Sequence, residues 1–329
     1  MQNNKTIPIP DDLISSLLTG ERFLIFTHVR PDGDAIGSAF GMQSFLLDQG
    51  KHADVVLPAD PPARYLKFDL KFLRTADVKE YDTIVVLDCA TRDRIADAGV
   101  LTQMLNEDRF FNLDHHITNT VKAKKFDFVC PFASSACEIA AALVFNSGRQ
   151  FSRRTATLLL SGILTDTGGF KFSNTCGRVL QCAARLIDSG VDYEELVNIL
   201  FFSKARKQLE FEGDLIAECL RFACDGKFAY AFIPPELLEK HNFSLKEDEG
   251  LIDILREIDG VVIAMLVHQH PEGFKVSLRS KDPAYPVAPI ASKFGGGGHL
   301  MAAGATVDVP DFGTLEKMML QLVSDHLSK

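Results

Sequence analysis

Several features that place a chain in a familiar class are absent from this 329-residue sequence. Its strongly apolar stretches, such as residues 261–267, are far too short to span a membrane. The opening residues lack the charged-then-apolar order of a secretory signal. Seven cysteines, an odd number without regular spacing, indicate a reducing compartment rather than a disulfide framework. We therefore expect a cytoplasmic protein with no membrane partner.

An excess of basic residues is also absent. The 35 lysines and arginines are outnumbered by 44 acidic residues, which gives a formal net charge of −9. Long duplex nucleic acid is bound mainly through positive surface charge, so this balance argues against such a partner. A short anionic substrate stays compatible with it, because bound divalent cations reverse the local charge.

Two motifs of common enzymes are missing as well. The sequence contains no G-x-S-x-G segment, which argues against acyl transfer through a serine nucleophile. It also lacks G-x-x-x-x-G-K-[ST], so a P-loop is not expected.

The first half of the chain alternates short apolar runs with helical patterns. Residues 22–27 predict a buried strand that ends at a Pro-Asp-Gly turn, and Asp34 is expected to cap the following helix. This order predicts an α/β fold with a mostly parallel N-terminal sheet flanked by helices, whose ligands bind at the carboxyl ends of the strands. Further strands are predicted at 53–57, 83–87 and 110–113, and helices at 133–147, 152–164 and 177–190.

The second half of the chain has a different pattern. Residues 203–222 predict one amphipathic helix that connects two domains. Beyond it, strand patterns alternate with helical segments at 249–258, 286–294 and 312–328. We therefore predict a catalytic domain over 1–198, a helical linker over 199–222 and a smaller C-terminal α/β domain over 223–329.

Carboxylates and imidazoles recur in the turns that follow predicted core elements. Any one of them alone fits a turn, a helix cap or a surface position. Their recurrence at strand ends favours a site for two divalent cations, with Asp88 bridging the cations through its two oxygens. The residues concerned are His28, Asp32, Asp34, Asp88, Asp114, His115, His116 and Asp166.

A second group of residues predicts a place for an anion. Consecutive glycines, among them Gly297 and Gly298, allow backbone N–H groups to approach an anion closely, and His299 adds a donor. Arg279 follows a strand pattern and can hold a phosphate with two parallel hydrogen bonds, with Ser280 beside it. The glycine run alone would equally fit a flexible loop. Together these residues favour phosphate binding.

These motifs resemble, in order and spacing, those of a known family. The segments around His28, Asp88, Asp114 and Asp166 are similar to the four signature motifs of the DHH phosphoesterase superfamily. Residues 295–304 resemble the DHH-associated domain that follows in one subgroup. Length and layout are most similar to the bacterial nano-RNase/pAp phosphatase group.

The resemblance implies a set of roles. Two manganese ions per chain are implied, with magnesium or cobalt as alternatives. His116 is implied to face the substrate as a catalytic acid or hydrogen-bond donor, and Asp114 to orient the histidine pair. The first ion would be held by His28, Asp32 and Asp88, and the second by Asp34, Asp88, His115 and Asp166.

The implied reaction is hydrolysis of very short single-stranded RNA and of the mononucleotide 3′-phosphoadenosine 5′-phosphate (pAp). A metal-bound hydroxide would attack phosphorus directly, while the C-terminal domain holds the terminal phosphate of the substrate. Two alternatives stay open from the residues alone. One is a phosphodiesterase for linear dinucleotides such as pApA, and the other is a catalytically silent nucleotide-binding regulatory protein. A homodimer is also left open.

Overall fold

A computed structural model describes residues 6–95, 108–245 and 250–328. Contacts between residues divide the chain into two compact units, one ending at Ser203 and the other beginning at Lys204. Each unit has its own sheet and its own buried core.

The sheet of the first unit is parallel throughout its described strands, which run in the order β2-β1-β3-β4-β5. Parallel strands are usually buried on both faces, and this explains why their sequences read as continuous apolar runs. The mostly parallel N-terminal sheet predicted from the sequence is confirmed. The strands are β1 (Arg22–Phe26), β2 (His52–Val56), β3 (Thr83–Leu87), β4 (Phe110–Asp114) and β5 (Phe126–Val129).

Two apolar layers cover this sheet. Along β1, Phe23 and Ile25 contribute to the larger core, whereas Leu24 and Phe26 point to a smaller cluster on the other face. Helices supply most of the larger core. They are α1 (Asp11–Thr19), α2 (Gly33–Asp48), α3 (Ala136–Asn146), α4 (Arg153–Asp166), α5 (Gly177–Asp188) and α6 (Tyr193–Phe201).

The second unit contains a mixed sheet whose described strands have the order β10-β11-β9-β8-β7-β6. Only the β7–β8 pair among these described strands is parallel. The strands are β6 (Leu220–Ala223), β7 (Phe228–Ile233), β8 (Ile263–His270), β9 (Gly273–Ser280), β10 (Gly297–His299) and β11 (Ala302–Val307). The helices are α7 (Arg206–Asp214), α8 (Pro235–Lys240), α9 (Leu251–Glu257), α10 (Ala288–Ser292) and α11 (Phe312–Leu327).

The helix predicted over 203–222 is wrong at its carboxyl end. Helical structure runs through α7 and a π-helical turn, Leu215–Cys219, and the chain then enters strand β6. Residues Leu220–Ala223 pair with β7, so sheet hydrogen bonds replace helical ones there. Tertiary pairing of this kind overrides the weak helical preference of a few residues.

None of the helices in 6–95, 108–245 and 250–328 combines the length and the apolar character that a membrane span needs.

Glycines allow α2 and α4 to approach closely behind the functional site. A Cβ atom placed on Gly162 would lie 2.2 Å from Cys137 Sγ and 3.0 Å from Asp34 Cα. We expect Gly162→Ala to destabilise the protein by about 1–3 kcal/mol, because overpacking forces neighbouring atoms apart. Denaturant unfolding followed by circular dichroism measures this change.

The matched control is Gly213→Ala in α7, where no atom lies within 4 Å of an added Cβ. Alanine favours a helix interior over glycine, so this variant should unfold at the same or higher denaturant concentration. Equal stability of the two variants would contradict the tight contact at Gly162.

Candidate metal centre

The predicted ligands meet at the carboxyl edge of the parallel sheet. His28 follows β1, Asp88 directly follows β3, and Asp114 is the last residue of β4. Asp34 lies in the first turn of α2. Asp166 ends helix α4 rather than a strand, so the expectation that each ligand follows a strand fails at this position.

The Asp32-Gly33-Asp34 turn orients its two carboxylates differently. Asp32 caps α2, because its Oδ1 accepts the N–H groups of Asp34 and Ala35, both at 3.1 Å. The prediction that Asp34 is the cap is therefore wrong: the residue with extended backbone precedes the helix, and Asp34 already belongs to it. Only glycine fits between them, since a Cβ on Gly33 would lie 2.2 Å from Thr165 Oγ1.

Asp88 lies between two groups of ligands. Its Oδ1 is 3.5 Å from His115 Nε2, and its Oδ2 is 3.8 Å from His28 Nε2. The residue is 2% exposed, and Oδ1 has no hydrogen-bond partner among the described residues. Its backbone is left-handed, with φ of 53°, a conformation that Asp and Asn adopt more readily than other side chains. A buried carboxylate oxygen without a hydrogen-bond partner, in a strained turn, is suited to binding a cation.

The separations within each group suit a shared cation. His28 Nε2 is 3.8 Å from Asp32 Oδ1, and His115 Nε2 is 3.7 Å from Asp34 Oδ2 and 3.8 Å from Asp166 Oδ2. These distances are too long for hydrogen bonds. Two ligand atoms each about 2.0–2.2 Å from one ion lie at most about 4.4 Å apart, so both groups fit a divalent metal. Nitrogen and oxygen donors of this kind accept several first-row ions.

Helix α3 fixes the orientation of Asp34. Asp34 Oδ2 accepts the backbone N–H of Ala136 at 2.6 Å, and Oδ1 accepts that of Cys137 at 2.9 Å. Ser135 caps the helix by accepting the N–H of Glu138. The sequence analysis missed this support, although Ser135 followed by Glu138 has the spacing of a capping box.

The Asp-His-His segment forms a buried hydrogen-bond network. Asp114 Oδ1 accepts the backbone N–H of His115 and the ring Nδ1–H of His116, both at 2.8 Å. Asp114 Oδ2 accepts the side-chain amide of Asn119, which also donates to the carbonyl of Cys89. These contacts occupy Asp114 and hold the His116 ring in one orientation. Asn119 was not identified from the sequence.

Crowded negative charge dominates the electrostatics. Burial, together with the neighbouring carboxylates of Asp88 and Asp166, raises the pKa of Asp34 well above its usual range. Burial and the charges of Asp32 and Asp88 raise the pKa of Asp166 to about 7. Burial lowers the pKa of His115, but the surrounding carboxylates outweigh it and raise that pKa well above the usual value. Such repulsion is relieved when a cation binds.

A separate arginine lies beside the His28 ring. The guanidinium Nη2 of Arg94 lies 3.2 Å from His28 Nδ1, and the carbonyl of Arg94 accepts the N–H of Val29. The sequence analysis did not identify Arg94, because nothing in its local sequence pairs it with a residue so far along the chain.

In the second unit, strand register brings two of the predicted anion-binding residues to one face. Ala302 of β11 pairs with Arg279 of β9 and with His299 of β10. Directly paired residues of antiparallel strands point to the same side, so Arg279 and His299 share a face. Ser280 alternates to the other face, is 2% exposed, and bonds with Asp282. Its position gives no support to a role in substrate binding, which stays a prediction.

The last two glycines of the run lie in a strand. Gly297 and Gly298 belong to β10, which pairs with β11. A Cβ on Gly298 would lie 2.5 Å from the carbonyl oxygen of Ala302, so close approach of two backbones requires glycine there. This approach accounts for Gly298, and binding of an anion by Gly297 and Gly298 stays a prediction.

Comparison with known proteins supports one family. Residues 22–163 match the DHH family, N-terminal domain, and residues 225–325 match the DHHA1 domain. A Thermus thermophilus protein named bifunctional oligoribonuclease and PAP phosphatase NrnA is 33% identical over 93% of this chain and 90% of its own length. A Bacillus subtilis protein of the same name is 28% identical over 90% of this chain and 92% of its own length.

A solved structure shares the fold. The crystal structure of an exopolyphosphatase-related protein from Bacteroides fragilis has a TM-score of 0.88 and 23% identity, and the alignment covers 98% of this chain and all of that one. The chain matches both family domains, and one relative is more than 30% identical to it along nearly its entire length. These matches are consistent with the geometry of the candidate ligands. This protein belongs to the DHH family and is a metal-dependent hydrolase of phosphate esters.

Proposed function

We propose that the chain holds two divalent cations, manganese by preference, and uses them to hydrolyse short oligoribonucleotides. The observation that carries this proposal is the position of Asp88. Its two oxygens face different imidazoles, Oδ1 towards His115 and Oδ2 towards His28. His28, Asp32 and Asp88 would hold one ion, and Asp34, Asp88, His115 and Asp166 the other.

When bound, such ions supply Lewis acidity and lower the pKa of water, which is what phosphoester hydrolysis needs at neutral pH. The protein itself orients the reacting groups and supplies a proton donor. Burial lowers the pKa of His116, but the hydrogen bond from its Nδ1 to Asp114 and the charge of Asp88 raise it. These contacts favour the protonated form of His116, and we propose that its Nε2 donates a hydrogen bond to the departing oxygen.

The names of two relatives and the net charge of this chain support short RNA as the substrate. Two relatives that align along nearly their full lengths are named oligoribonuclease and PAP phosphatase. The net charge of −9 supports short substrates over long duplexes. Arg279 and His299, on one face of the second sheet, are proposed to bind a phosphate of the substrate. We extend the proposal to pAp on the same grounds.

A substrate panel tests this proposal. The purified protein is incubated with Mn²⁺ and, separately, with a diribonucleotide, a pentaribonucleotide, a 24-nucleotide RNA, pAp, pApA and inorganic pyrophosphate, and products are identified by mass. We expect rapid release of mononucleotides from the shortest RNAs, release of phosphate from pAp, and slow turnover of the 24-mer. Equal rates at all RNA lengths would contradict the preference for short substrates. Turnover of pApA alone would reassign the enzyme to linear dinucleotides.

A further inference from the structure

Phe132 is a large apolar side chain exposed at the carboxyl edge of the first sheet. Phe132 lies in the loop between strand β5 and helix α3 and is 59% exposed. An aromatic ring that is held in place at the functional edge of a sheet offers a flat apolar surface to a ligand.

The loop that carries Phe132 is tied to the metal centre at two points. Four residues further on, Ala136 N–H binds Asp34 Oδ2. Two residues further on, the carbonyl of Ser134 accepts the amide of Asn174, which also donates to the carbonyl of Asp166. Four residues of chain span at most about 14 Å, so Phe132 lies within reach of a nucleotide whose phosphate is at the metal centre.

The ring is held in position from one side. The guanidinium of Arg178 lies over the Phe132 ring, 5.4 Å from its centroid, and Arg178 Nη2 donates to the Phe132 carbonyl at 2.7 Å. Arg178 is in turn fixed by Glu138, which is 1% exposed and accepts from its Nε at 2.6 Å and from Ser134 N–H at 2.7 Å. The hydrogen bond with Glu138 raises the pKa of Arg178, so the guanidinium next to the ring stays charged.

We propose that Phe132 is a stacking platform for a nucleobase of the substrate. Arg178 supports one side of the ring, and much of the rest of the side chain stays open to solvent. Stacking on an aromatic ring tolerates any base, since every base has a π-face, and this suits an enzyme of short RNAs of mixed sequence. The inference rests on the proposed nucleotide substrate and adds a residue that determines how the base is held.

Fluorescence provides a direct test, because the chain contains no tryptophan. Phe132→Trp introduces a single tryptophan at the platform, and stacking of a base on it quenches its emission. With Mg²⁺ present, we expect AMP to quench this variant in a saturable manner and ribose 5-phosphate to leave it unchanged. The control is Leu47→Trp, at a 53% exposed position near the far end of α2 from Asp34, where AMP should have no effect.

Kinetics separates this inference from the proposed function. Phe132→Ala should lower kcat/KM for a diadenosine dinucleotide about 5- to 100-fold, the range that base–aromatic stacking supplies, while a base-free ribose analogue is cleaved as by wild type. Phe132→Tyr should retain activity on both. Equal rates of Phe132→Ala and wild type on the dinucleotide would overturn the stacking role of Phe132 and leave the proposed function intact. Equal quenching by ribose 5-phosphate and AMP would do the same. A wild-type protein inactive on every nucleotide would overturn the proposed function. The AMP titration would still show whether a base stacks at position 132.

Discussion

Asp88→Asn should lower kcat by at least about a thousandfold while leaving the fold intact. The substitution removes the negative charge that faces both His28 and His115. Metal ions contribute several kcal/mol of charge stabilisation in phosphoryl transfer, and each 1.4 kcal/mol is a factor of ten in rate. Asparagine has nearly the same volume and also tolerates the left-handed backbone at φ of 53°. Activity at saturating Mn²⁺ and thermal unfolding together measure the two effects.

The matched control is Asp69→Asn. Asp69 also has a left-handed backbone, with φ of 48°, but it is exposed and lies outside the groups of candidate ligands. The same chemical change in the same backbone conformation should leave kcat unaltered there. Turnover by Asp88→Asn within tenfold of wild type would show that the carboxylate does not hold the catalytic ions.

Metal should stabilise the protein more strongly at pH 8 than at pH 6. Without metal, Asp166 has a pKa raised to about 7, and burial and repulsion also raise the pKa of Asp34 well above its usual range. Raised carboxyl pKa values mean that the folded, metal-free protein loses stability as pH rises through them, since the folded state then confines unpaired charge. A cation needs those same groups deprotonated, so its affinity rises over the same interval.

Thermal unfolding with and without Mn²⁺ measures this prediction. At a free metal concentration a hundredfold above Kd, binding adds about 2.7 kcal/mol to the free energy of unfolding. We expect the rise in Tm to shrink as pH falls from 8 to 6 and to vanish with EDTA. In Asp166→Asn, which lacks the group titrating near pH 7, the difference between the two pH values should be smaller. A Tm shift that is independent of pH in the wild type would contradict the assignment of these carboxylates as ligands.

The sequence predicted which residues approach one another better than it predicted how they are held. His28, Asp88 and Asp114 follow strands of one parallel sheet, and topology alone brings the ends of such strands together. The clamp on Asp34 depends on N–H groups of α3, about a hundred residues away, and local pattern carries no information on that contact.

Strand register was the other feature that could not be predicted from the sequence. The prediction grouped Ser280 with Arg279 because they are adjacent in sequence, but adjacent strand residues point to opposite faces. Gly298 was assigned to an anion, whereas the close backbone of β11 is what requires a glycine there. In both cases the decisive neighbour lies on another strand.

The glycines behind the site have a consequence for gene duplicates. Gly33 and Gly162 are required by the packing that surrounds Asp34, whereas Asp88 is required by chemistry and its turn accepts asparagine. A duplicated copy under no catalytic selection can therefore lose Asp88 and keep its architecture, but it cannot replace either glycine without disturbing that packing. A sequence that retains both glycines and lacks Asp88 is then best interpreted as a folded paralogue whose hydrolytic role has ended.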